Sequence, residues 1–131
     1  MSENDVVLMI EDELAIRRFL KPSLESHKFK VIEAVTGEEG LALAASHKPD
    51  VVLLDLTIRE GMGGQEAIQA LLKIDPAVKA IAMSGYIESP VILEPGRHGF
   101  KAALEKPFDA GKLQEILALV MDGAPGDKAA P

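Results

Sequence analysis

The sequence predicts an α/β fold in which five short strands alternate with five helices. Three observations carry this. Short apolar runs, several of them rich in Val and Ile, recur at Val6–Ile10, Val51–Leu54 and Val78–Met83, with weaker ones at Val31–Val35 and Ala102–Leu104. The runs lack the apolar/polar alternation of a half-solvated sheet, so they read as parallel strands covered on both faces. Between them stand segments whose apolar residues recur at helical spacing.

Each helix has its own pattern. Leu14, Phe19, Leu20 and Leu24 suit the first. Pro22 falls inside it and removes the bond to the Arg18 carbonyl, which predicts a kink or an end near Lys21. Thr36 is the expected N-cap of the second, with Glu39 three residues on as a capping box and Leu41, Ala44 and Ala45 facing inward. Ala67, Ile68, Leu71 and Leu72 mark the third. The fourth, between Ser89 and His98, is weak because Pro95-Gly96 interrupts it. Leu113, Ile116, Leu117 and Val120 fall at i, i+3, i+4 and i+7 of the fifth, with Asp109 as N-cap.

Five strand–helix repeats imply right-handed crossovers and a parallel sheet with helices on both faces. In about 120 residues this suits the flavodoxin-like (βα)5 three-layer sandwich, strand order 2-1-3-4-5, whose ligands sit beyond the carboxyl ends of the strands. The expected domain is 1–121. The Pro-, Gly- and Ala-rich tail 122–131 lacks apolar periodicity and reads as disordered.

Composition excludes several functions. The 131 residues carry 14 Lys plus Arg against 21 Asp plus Glu, a net charge of −7. That balance argues against a nucleic-acid binder, which needs clustered cations. Cysteine is absent, so thiolate chemistry and cysteine metal sites are out. No apolar run approaches the roughly 20 residues of a membrane span, and the polar start is unlike a signal peptide, so a soluble cytoplasmic protein is expected. The length is expected to hold one domain and no output domain.

The acids fall at the strand ends. Glu11, Asp12 and Glu13 follow the first apolar run, Asp55 ends the third, Ser84 the fourth, and Lys106 follows the fifth. A parallel sheet brings these groups to one edge. Clustered carboxylates repel, so one protonates or a cation binds. A hard divalent cation such as Mg²⁺ suits oxygen ligands, and no His flanks these ends to favour zinc. A carboxylate beside Mg²⁺ can attack a phosphoryl group, and Asp55 stands alone at the tip of a central strand. Glu11 and Asp12 then serve as metal ligands, and Ser84 and Lys106 contact phosphoryl oxygens. Any one of these residues read alone is an ordinary cap or loop residue; the conjunction at four of five strand ends points to a site.

At Ile10-Glu11-Asp12-Glu13, Leu53-Leu54-Asp55-Leu56-Thr57, Met83-Ser84-Gly85 and Lys106-Pro107-Phe108 the chain resembles the receiver domain of two-component response regulators, over about residues 5–121. The resemblance implies Mg²⁺-dependent transfer of a phosphoryl group from a partner's phosphohistidine to Asp55. It makes Asp12 a direct metal ligand, Glu11 a ligand directly or through water, and the Thr57 backbone carbonyl a further ligand. Ser84 fills the hydroxyl position that moves toward the phosphoryl group, and Lys106 the lysine position. The chain departs from the family at Arg59, where Pro is usual, and in a loop one residue longer before Gly64, whose three glycines suggest mobility. Ala103 stands where many receivers carry a switching aromatic, and Tyr86 is a candidate substitute. Residues up to Asp55 are most similar to receivers of transcription-factor regulators, and Thr57 to Phe108 to those of hybrid sensor kinases.

The resulting expectation is a phosphoacceptor signalling domain, not an enzyme on other substrates. It would take phosphate from a sensor histidine kinase or a histidine phosphotransferase and act on a downstream protein through the loops after strands four and five. Partner choice would rest on the first helix, including Arg17, Arg18 and Lys21. Three rivals stand beside this. An aspartyl-phosphate hydrolase would want Asp where Thr57 stands. A module of the same fold that is not phosphorylated would fit the departures at Arg59 and Ala103. A flavodoxin would want a Ser/Thr/Gly-rich loop where Glu11–Glu13 stand.

Overall fold

A computed structural model describes residues 5–58, 61–85 and 90–121. The expected tail, Arg59 and Tyr86 lie outside these. The strands are β1 Val6–Ile10, β2 Lys30–Ala34, β3 Val51–Asp55, β4 Ala80–Ser84 and β5 Ala102–Glu105. The helices are α1 Leu14–Glu25, α2 Gly37–His47, α3 Gly64–Ile74, α4 Pro90–Leu93 and α5 Ala110–Met121, with a 3₁₀ turn at Pro95–His98. All strand pairs are parallel, in the order β2-β1-β3-β4-β5. This is the flavodoxin-like α/β fold.

Side chains of a strand alternate between sheet faces, and the two cores divide by that parity. Leu8, Ile10, Val52, Leu54, Ala80 and Ala82 pack with Ala44 of α2, Ala67, Ile68 and Leu71 of α3 and Val91 of α4. Val7, Met9, Val51, Leu53, Ile81, Met83 and Leu104 pack with Leu20 and Leu24 of α1 and with Leu113, Ile116, Leu117 and Val120 of α5. Both faces of β1, β3 and β4 are therefore dry, which is why their sequences show no alternation.

The caps follow the sequence closely. The Thr36 hydroxyl accepts from Glu39 N at 3.1 Å, while the Glu39 carboxylate reaches back to Val35 N at 2.8 Å, one residue before the usual capping-box partner. Asp109 Oδ1 accepts from Lys112 N at 2.8 Å, capping α5. Pro22 does not end α1 at Lys21: the helix runs to Glu25, and the Pro22 carbonyl accepts from Ser26 N at 2.9 Å. The fourth helical segment is short among the described residues, and Pro95 opens a 3₁₀ turn instead of continuing it.

Candidate functional site

Parity also builds the site. Continuing past Val7 and Met9 gives Glu11; past Val51 and Leu53 gives Asp55; past Leu104 gives Lys106. These three side chains thus meet at the carboxyl edge, on the α1/α5 side. Glu11 N donates to the Ala34 carbonyl at 3.0 Å and extends the ladder beyond β1. Lys106 N donates to the Ser84 carbonyl at 2.8 Å, tying the lysine to the end of β4. The Lys106–Pro107 peptide is cis.

Glu11 and Asp55 have no solvent exposure, and Ser84 is buried as well. Lys106 Nζ lies 3.1 Å from Glu11 Oε1, 3.2 Å from Asp55 Oδ1 and 3.9 Å from Glu13 Oε1. Asp55 Oδ1 accepts three donors: Lys106 Nζ, Thr57 N at 3.1 Å and Thr57 Oγ1 at 2.9 Å. The threonine side chain is a contact that the sequence reading missed, because it assigned Thr57 only a backbone role. A hydroxyl two residues after a strand-end Asp fits the Asx-type local bonding of such residues.

Burial pushes the Glu11 carboxyl up to about 7, and the adjoining Asp55 carboxylate adds to this, while the Glu13 amide and Lys106 pull the other way. Burial alone would depress Lys106, but the charges of Asp55 and Glu11 outweigh it and raise its pKa. One ammonium faces two buried carboxylates, so the cluster lacks positive charge.

That deficit bears on a cation. Glu11, Asp12 and Asp55 each offer a carboxylate oxygen, and these oxygens lie within 4.8 Å of one another. Glu11 Oε1 and Asp55 Oδ2 are buried without a hydrogen-bond partner; the first touches Lys106 as an ion pair only. Orphaned carboxylate oxygens are costly unless a cation takes them. An all-oxygen set with two or three carboxylates suits Mg²⁺.

Arg17 donates from Nη1 to the Glu11 carbonyl at 2.8 Å and pairs with Glu33, 3.5 Å from Nε; Lys21 pairs with the same Glu33 at 3.3 Å. Both are therefore engaged within the fold, and Arg18 alone of the three basic residues stays exposed without an ion pair among the described residues. In the loop after β3, Gly61 sits at φ +77° beside Glu38, and Gly64 packs on Leu56, so two of its glycines answer to close approach. An apolar recess of about 390 Å³ between α2 and α3, lined by Ala44, Leu71, Ile74 and Val78, lies at the opposite, amino end of the sheet. It has no link to the acids.

The family model of the response regulator receiver domain matches residues 7–118. The chain belongs to that family. It is 40% identical over 115 residues to the KDP operon transcriptional regulatory protein KdpE of Escherichia coli, covering 88% of this chain and 50% of KdpE. It is 33% identical over 112 residues to the chemotaxis protein CheY of Thermotoga maritima, covering 85% of this chain and 92% of CheY. The chain thus spans half the length of the first relative and nearly all of the second. A CheY-like receiver structure from Methanospirillum hungatei superposes with a TM-score of 0.84 at 27% identity, over 93% of this chain and 96% of that one. Receivers are two-component signalling modules, interact with histidine kinases and downstream targets, and bind Mg²⁺ at an acidic pocket. Among the described residues no helix is long and apolar enough to cross a membrane.

Proposed function

We propose that this receiver accepts a phosphoryl group on Asp55 from a phosphohistidine of a sensor kinase or phosphotransferase. The observation that carries the reading is the fully buried Asp55 at the tip of β3, held by Lys106 and Thr57 on one oxygen and unbonded on the other. In the transfer a carboxylate oxygen of Asp55 bonds to phosphorus, the phosphorus–nitrogen bond breaks, and its electron pair leaves with the imidazole. Mg²⁺, held by Glu11, Asp12, Asp55 and the Thr57 carbonyl, would supply charge neutralisation for the phosphoryl oxygens.

This chain's own residues do the rest. Three donors on Oδ1 hold the Asp55 carboxylate in one orientation, a preorganisation that lowers the cost of attack. Lys106 brings a positive charge to the oxygens. Ser84 supplies a hydroxyl at the neighbouring strand end, and its backbone bond to Lys106 joins the two loops whose shift would carry the signal to a downstream protein. The phosphodonor must reach Asp55 from outside the sheet edge. Beside Lys106 an apolar recess of about 430 Å³ is lined by Ala15, Ile16, Phe19, Pro107 and Phe108, and the Phe19 and Phe108 rings meet edge to face at 6.0 Å. Half-exposed Leu14 and Phe19 suit an apolar partner surface there.

Incubation with acetyl phosphate and Mg²⁺, followed by intact mass measurement, tests the reading. Gain of one phosphoryl group by the wild type and none by Asp55→Asn supports it. No gain while Mg²⁺ is bound leaves the non-phosphorylated interaction module. Turnover of varied phosphomonoesters would make the protein a hydrolase.

A further inference from the structure

The loop between β3 and α3 is tied at both ends. At the near end Thr57 bonds Asp55, and Ile58 is buried in the core. At the far end Met62 N donates to both carboxylate oxygens of Glu38, at 3.2 and 3.0 Å. Glu38 belongs to the first turn of α2, a different element on the same side of the sheet. Two glycines make room for this contact. Gly61, at φ +77°, lies against the Glu38 carboxylate, and a Cβ there would collide with it. Gly37 faces Met62 so closely that a Cβ would sit 3.1 Å from the Met62 Cβ. The Met62 side chain itself packs on the core beneath α2 and α3.

An acid in the first turn of a helix also favours the helix dipole. That alone would not aim it at a loop 24 residues away, and α2 has its own cap from Thr36. We propose that Glu38 is a positioning residue, which anchors the loop after Asp55 to α2 so that the Thr57 carbonyl stays where the metal needs it. A backbone carbonyl has no rotamer to adjust, so its place follows from what holds the loop. A charge-assisted bond to a loop amide is a strong local restraint. The inference rests on the Mg²⁺-dependent phosphoacceptor reading and adds a residue to it.

The test compares wild type, Glu38→Ala and Glu38→Gln. Amide exchange at Met62 is followed without metal, Mg²⁺ affinity by calorimetry, and acetyl phosphate labelling as a function of Mg²⁺. For Glu38→Ala the expected results are about tenfold faster Met62 exchange and about fivefold weaker Mg²⁺ binding, the size of one lost hydrogen bond. The labelling rate should recover at saturating Mg²⁺. Glu38→Gln keeps one acceptor oxygen but loses the charge and the second acceptor, so both effects should fall between wild type and Glu38→Ala. Faster exchange with unchanged Mg²⁺ affinity would reduce Glu38 to a structural clasp and overturn the proposal. So would unchanged exchange, or a labelling rate that saturating Mg²⁺ does not restore. If the wild type binds Mg²⁺ but takes no phosphate, the phosphoacceptor reading fails while the affinity comparison still decides the role of Glu38. If it binds no Mg²⁺, both fall.

Discussion

Lys106 Nζ lies 3.2 Å from Asp55 Oδ1, joining the ends of β5 and β3 across 51 residues of chain. The same ammonium lies 3.1 Å from Glu11 Oε1. It is the counter-charge shared by the two buried carboxylates.

Lys106→Met should therefore act in a pH-dependent way. Above pH 7 it leaves two buried carboxylates without their counter-charge and should cost about 3 kcal/mol. At pH 5 Glu11 is protonated and the cost should be smaller. Urea unfolding at both pH values checks this; equal losses would show that Lys106 contributes packing, not charge.

Glu11 has a folded pKa of about 7, above its ordinary 4.5. The fold thus favours its protonated form. That contribution is complete below pH 4.5 and is lost as pH rises through 7, so metal-free stability should fall over this window. Mg²⁺ needs the carboxylate, so its affinity should rise over the same window and its binding should release a proton. Melting scans from pH 5 to 8, with Mg²⁺ and with chelator, read both effects. Glu11→Gln should remove the pH dependence in chelator.

Arg17→Ala should cost about 1.5 kcal/mol, because its guanidinium holds the Glu11 carbonyl and Glu33 from a largely buried position. Lys21→Ala should stay within about 0.5 kcal/mol, since its pair with Glu33 is half exposed. Denaturation midpoints of the two variants should differ accordingly. Equal midpoints would mean that the Glu11 carbonyl finds another donor, such as water.

Thr36→Ala removes the acceptor for Glu39 N and should cost about 1 kcal/mol. Thr36→Ser should be close to neutral. Helix capping predicts the order wild type, Ser, Ala in thermal stability; an Ala variant as stable as wild type would show that the Glu39 bond to Val35 suffices.

Sequence patterns were most informative where local chemistry decides structure. Thr36 and Asp109 cap helices as their residue types predict, because an N-cap bond spans only three residues. Pro95 breaks the fourth helical segment for an equally local reason. Pro22 shows the limit. It removes one bond, yet Leu20 and Leu24 are fully buried on either side, and their packing carries α1 through to Glu25.

By itself the sequence determined the alternation of strands and helices, and it put acids, a hydroxyl and a lysine at successive strand ends. Period and residue type suffice for that. Tertiary structure decided which groups share charge. It set Glu11 and Asp55 on one sheet face with one ammonium between them, paired Arg17 and Lys21 with Glu33, and bound Met62 to Glu38. Those pairings join residues far apart in the chain, and burial sets their strength. Distance and desolvation exist only once the sheet has closed.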